Sequence, residues 1–256
     1  MGEPVREAAT VLGDAPLSCR RTPGRPGDDF RVFDAERVPA QGLVGRSPNT
    51  VALDWAWKHD HVMTSPASFR NPTNWSDGFY ELAIEIGATD DARLQDVLTA
   101  LWAAAGVQGC FGRRDLEPEE QHPVPCTVSS LTEYGHLRGQ VRLPTNQLVV
   151  CGCVAIRGGD DSSDWLDFYV PVGALDNAGL AYWDGRPFFR SDVMDDWLAA
   201  IGRETFTRAA FSLGVVGFEV SGCADAGTLA GQMPQERGVG YLLPIGGALH
   251  YGAANA

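Results

Sequence analysis

Lysine is almost missing from this 256-residue chain: Lys58 is the only one, and arginine supplies the rest of its 20 basic side chains, against 33 acidic ones. A Gly-rich phosphate loop must end in Lys followed by Ser or Thr, but Lys58 sits in Trp57-Lys58-His59, which excludes that nucleotide site. Long apolar runs are also missing. No stretch approaches the ~18–20 residues that span a bilayer, and Met1-Gly2-Glu3-Pro4 lacks the charged-then-apolar plan of a secretory leader. A cytoplasmic protein off the membrane is therefore expected. The six cysteines, Cys19, Cys110, Cys126, Cys151, Cys153 and Cys223, are too sparse for a disulfide scaffold. In a reducing compartment they are expected mostly as free, buried thiols.

Clusters of positive charge stop at Arg113-Arg114, and the net charge is −13. The excess lies almost wholly beyond residue 62, where 12 basic side chains face 24 acidic ones. A body this acidic repels phosphate backbones, so nucleic acid is not an expected partner, whereas a basic protein is electrostatically permitted. Abundant Ala, Gly, Arg and Asp with scarce Ile and Asn point to a GC-rich bacterial genome.

Other motifs fail at named positions. Gly238-Val239-Gly240 begins like a dinucleotide fingerprint, but Leu243 stands where the third glycine belongs. Ser221 follows a strand pattern, yet Glu219 occupies the glycine position of a nucleophile elbow. Asp160-Asp161-Ser162-Ser163-Asp164 resembles half a calcium loop, but Trp165 replaces its glycine and Pro171 its terminal glutamate. No cofactor is expected.

With 44% hydrophobic residues the chain can bury a sizeable core. Residues 1–74 read as a flexible or loop-rich segment, rich in Arg, Pro and Gly at first, and Met63 is an alternative start. Beyond them the expected class is α+β. In Phe79-Tyr80-Glu81-Leu82-Ala83-Ile84-Glu85-Ile86 the apolar residues alternate with Glu81 and Glu85, which predicts a half-buried strand. Thr89 is the expected N-cap of a helix carrying Leu94, Val97, Leu98, Leu101 and Trp102 at helical spacing and stopped at Gly106. A short strand follows at 107–111, and 136–143 with 147–157 form a β-hairpin.

The second half repeats this order: a strand at 165–170, a helix capped by Ser191-Asp192 and a return strand at 214–220. Arg138-Gly139, Leu143-Pro144, Leu148 and Gly152 recur about a hundred residues on as Arg237-Gly238, Leu243-Pro244, Leu249 and Gly252. The expectation is two similar strand-helix-strand-strand-strand units, 75–160 and 161–256. Each has a mainly antiparallel sheet with its helix on one face, and the two are compatible with one domain. The second carries an insertion before its helix, and its Tyr182-Trp183-Asp184 is the candidate binding loop.

Candidate chemistry rests on two residue types. Glu81, Glu85, Asp167 and Glu219, with Tyr169 or His250, form an acid/base set if their sheet face meets a cleft; ordinary alternation places them in solvent instead. His59 and His61, and Cys151 and Cys153, each offer two metal ligands on one side of an extended segment, but a site needs more. The two histidines are expected in a solvated polar cluster, and the two cysteines packed in a strand core. The expected function is a non-catalytic protein-binding protein, of the immunity type that neutralises a basic protein. The alternative is a hydrolase using carboxylates or a cryptic metal between the two units.

Overall fold

A computed structural model describes residues 65–158, 162–180 and 190–256. The expected N-terminal arm, His59, His61, Asp160, Asp161 and the Tyr182-Trp183-Asp184 loop lie outside the described residues. The strands are β1 (Phe79–Ala88), β2 (Gln108–Phe111), β3 (Leu137–Arg142), β4 (Leu148–Ile156), β5 (Ser163–Pro171), β6 (Leu213–Phe218), β7 (Gly240–Ile245) and β8 (Ala248–Gly252). Among the described residues the α-helices are α1 (Asp91–Ala104), α2 (Val128–Tyr134), α3 (Val172–Asn177), α4 (Asp192–Arg208) and α5 (Ala226–Leu229). None is long and apolar enough to cross a membrane.

One antiparallel sheet replaces the two expected. Its order is β2-β3-β4-β5-β1-β6-β7-β8, so β1 lies between two strands of the second half. Alternation turns Tyr80, Leu82, Ile84 and Ile86 toward α1 and α4, which pack side by side on that face of the sheet. Leu94, Val97, Leu98 and Leu101 of α1 and Met194, Leu198 and Ile201 of α4 complete this core. Gly202 lets α4 sit close, since an added Cβ would lie 2.3 Å from Leu242 Cδ1.

Asp90, not Thr89, caps α1, its carboxylate accepting from the N–H groups of Ala92 at 2.9 Å and Arg93 at 3.3 Å. The Thr89 hydroxyl is used elsewhere, on Asp164 Oδ1 at 3.0 Å and the Gly158 carbonyl at 3.1 Å. Ser191 caps α4 as expected. Inside α4, Asp195 is buried and accepts a hydrogen bond from the Tyr80 hydroxyl, joining the helix to the centre of the sheet.

The two hairpins agree in element order but not in face. Leu243 points into a small cluster with Ala83, Leu213 and Val215 on the side of the sheet away from the helices. Leu249 packs on the helix-side core, where the first hairpin instead presents Val149 next to Leu148. In a strand a one-residue slip exchanges faces.

Residues 65–78 strap the sheet. Asn74 is fully buried and donates to the carbonyls of Ser65 and Ser68, and Gly173 N–H donates to the Ser76 carbonyl at 3.0 Å. A Cβ on Gly173 would meet the Thr73 carbonyl oxygen at 1.9 Å. Gly173→Ala is therefore expected to cost about 1–3 kcal/mol through overpacking and to lower Tm by roughly 3–10 °C in a thermal melt. An unchanged Tm would show that the strap does not seat against α3.

Candidate acidic site beneath the 219–230 segment

Register brings the candidate carboxylates together. Asp167 lies directly opposite Ala83, and Tyr169 opposite Glu81, so Glu81 and Asp167 are diagonal neighbours on the face away from α1 and α4. Glu85, two residues along β1, shares that face. The expectation that this face meets solvent is overturned: Glu81 is 5% exposed, Glu85 5% and Asp167 3%.

The cause is the chain that follows β6. Gly217 at φ 151° and Glu219 at φ 51° take up backbone conformations that side chains seldom adopt, and the chain folds back over the sheet. Val220 fills the gap over Ala83 and Val215, and Cys223, Ala226, Leu229 and Met233 extend the cover. The carboxylates fasten it. Ser221 N–H donates to Glu81 Oε1 at 2.8 Å, and Ala226 N–H, at the start of α5, donates to Glu85 Oε2 at 2.6 Å. The Ser163 hydroxyl donates to Glu85 Oε1 at 2.7 Å, and Phe79 N–H to Glu219 Oε1 at 2.9 Å. Ser221 thus serves as a backbone donor.

These bonds do not make up for lost water. Burial pushes Glu81 up to about 8, with the negative charges of Asp167 and Glu219 adding to the rise. Burial likewise pushes Asp167 up to about 7, with the Ser221 side chain opposing the rise. Asp167 Oδ1 has no hydrogen-bond partner among the described residues. The pair therefore holds a proton near neutrality, and two adjacent buried carboxylates do not ionise together.

Tyr169 continues the polar row. Its hydroxyl is 2.9 Å from His136 Nδ1, and its ring crosses β4 at Gly152, where a Cβ would meet the ring at 2.4 Å. Burial, with the positive charges of Arg138 and Arg114, lowers His136 to about 4 and keeps its imidazole neutral. This histidine was missed as a partner of the acids. The signal for it was Gly152, since an isolated glycine in an apolar strand marks a close approach. His250 does not join them. It lies exposed on edge strand β8, three strand spacings or about 14 Å from β1.

The remaining candidates lie apart from this row. Cys151 and Cys153 share a face, as alternation requires, but it is the helix-side core, where burial raises both thiols. His136 lies on the opposite face, since its neighbour Leu137 is the residue paired with Cys153. Asp164, from the acidic run, is fully buried and braces Arg157 Nε at 3.1 Å, Gly158 N–H and the Thr89 hydroxyl. Among the described residues no three His, Cys, Asp or Glu side chains are placed to hold a metal.

The raised acids imply a pH dependence with a definite sign. Their ordinary values are 4.5 and 3.8, so above pH 5 the folded state keeps protons that the unfolded chain has released. Stability is then fullest below those ordinary values and falls as pH rises through the folded ones, by up to ~1.4 kcal/mol per pH unit for each retained proton. His136 acts with the opposite sign, and only as pH drops below its ordinary 6.5. Urea unfolding between about pH 6.5 and 8 should show declining stability, with a shallower slope in Glu81→Gln. Stability that rises with pH in that window would contradict the buried, proton-holding pair.

No protein-family model, curated protein or solved structure matches the chain.

Proposed function

We propose that the chain is a non-catalytic binding protein that captures a basic protein, in the manner of an immunity-type neutraliser. The observation that carries this reading is the split between its carboxylates. Those with catalytic potential are closed beneath residues 219–230, while the acid excess faces outward. On α4, Val193 is 53% exposed between the exposed Asp192 and Asp196, just after the segment that contains Tyr182, Trp183 and Asp184. An apolar contact flanked by two exposed acids suits a basic partner, whose approach such charges steer. The partner and a cytoplasmic setting are part of the proposal.

A second reading, a hydrolase, draws on one observation: the proton-holding Glu81–Asp167 pair beside Tyr169 and His136. Perturbed acids gather at catalytic sites and also in structural networks. Here catalysis would require residues 219–230 to lift, which would break the Ser221 and Ala226 bonds to the two glutamates.

The test is immobilised full-length protein challenged with the cation-exchange-retained fraction of a GC-rich bacterial proteome. An unrelated protein of equal net charge serves as control. The expected result is a partner held by this chain and not by the control, released by about 0.5 M salt, where screening is nearly complete. That partner should be lost on Tyr182→Ala/Trp183→Ala or Asp192→Arg/Asp196→Arg and kept on Glu81→Gln. Retention no greater than the control's would overturn the proposal. Loss of capture in Glu81→Gln alone, with the fold intact, would shift the site to the acid pair.

A further inference from the structure

The sheet ends in β2 on one side and β8 on the other, and the two edges are finished differently. At the β2 edge the chain supplies its own partners. β2 has only four residues and is broken by a register shift between Gln108 and Phe111. Its Gly109 carbonyl accepts from Trp102 Nε1 at 3.1 Å, and its Cys110 carbonyl from Val124 N–H at 2.8 Å. Shortness, a bulge and a covering loop are the usual means of closing an edge.

The β8 edge has none of these. β7 and β8 meet in unbroken register through the two-residue turn Gly246-Gly247, whose φ values of 60° and 85° are those of a type I′ hairpin. Such a turn closes on a hydrogen-bonded pair, here Ile245 with Ala248, and bonded and non-bonded pairs alternate from there. Pro244–Leu249 and Leu242–Tyr251 are therefore the non-bonded pairs, and Pro244, with no N–H to give, fits that parity. The N–H and C=O groups of Leu249 and Tyr251 consequently point away from β7. Among the described residues no strand or loop pairs with them.

Charge and register narrow the occupant. Residues 238–256 contain no Asp, Glu, Lys or Arg, so this edge offers a basic partner nothing to pair with. It does let two chains of net charge −13 meet where neither strand is charged. The edge is also complementary to itself. In an antiparallel pair centred on His250, Leu249 of each copy faces Tyr251 of the other, and each such pair exchanges two main-chain bonds. The Leu249 and Tyr251 side chains, half-buried on the helix side, then cover each other across the axis.

We infer that the chain forms a twofold dimer by antiparallel pairing of β8 with β8 of a second copy, making one continuous sheet. A contact of this self-matching kind closes after two copies, and the finished β2 edge leaves no second site for growth. His250 is exposed on the face away from the helices, the face of its neighbour Leu243. Across the axis it stands directly opposite the same residue of the other copy, with Cβ atoms about 4.5–5.5 Å apart.

Sedimentation of the full-length protein tests this, at concentrations up to about 0.5 mM because so small an interface belongs to the weak, transient class. The expected result is a mass that rises from one chain, 27.5 kDa, to two and no further, with slower amide exchange at Leu249 and Tyr251 in the concentrated sample. His250→Arg and His250→Asp each set like charges on the axis, so each should remain a single chain with its Tm unchanged. An equal mixture of the two should regain the dimer, since opposite charges then face each other. A single chain throughout for the wild type, growth past a dimer, a dimer that survives both substitutions, or folded variants that fail to associate when mixed would overturn the inference.

Discussion

Two glutamates on one central strand hold the far side of this protein together. Glu81 and Glu85 accept the backbone N–H groups of Ser221 and Ala226, and so bind the segment after β6 to the face opposite the helices. Without that cover β1 would be the half-buried strand its alternation implies. With it, β1 is buried on both faces along most of its length. Charge-assisted bonds from backbone donors are strong, but dehydrating the acceptors offsets much of the gain. The proton retained by the Glu81–Asp167 pair marks where that offset is largest.

What the sequence made legible follows from what periodicity can express. Alternation identified β1 and its two faces, and helical spacing identified α1 and α4. The apolar runs around Pro144-Thr145-Asn146 identified the β3–β4 hairpin. Periodicity describes one element at a time, and the failures occur where distant elements meet. Thr89 and Asp90 are both good caps, and the choice was made by Asp164, which claims the Thr89 hydroxyl. Helices as short as α3 and α5 contain too few turns to show a period.

The candidate site was half legible for the same reason. Which acids share a face could be read from the strands, but whether that face is wet depends on a segment 140 positions away. A cover dominated by Gly, Ala, Ser and Asp looks like an exposed loop in composition. Its burial comes from Val220 and Leu229 and from backbone donors, which carry no side-chain signature.

The sheet order bears on how the chain folds. β1 is made early in the chain, yet its two neighbours are β5 and β6, so neither edge can pair until the second half begins, and the edge that β6 fills stays open until residue 213 and beyond. Contacts this distant in sequence impose a large loop-closure entropy before they give any return. Folding should therefore be slow and concerted, with the apolar face of β1 exposed on the nascent chain in the meantime. Neither half has a complete sheet without the other, since the single sheet draws its strands from both.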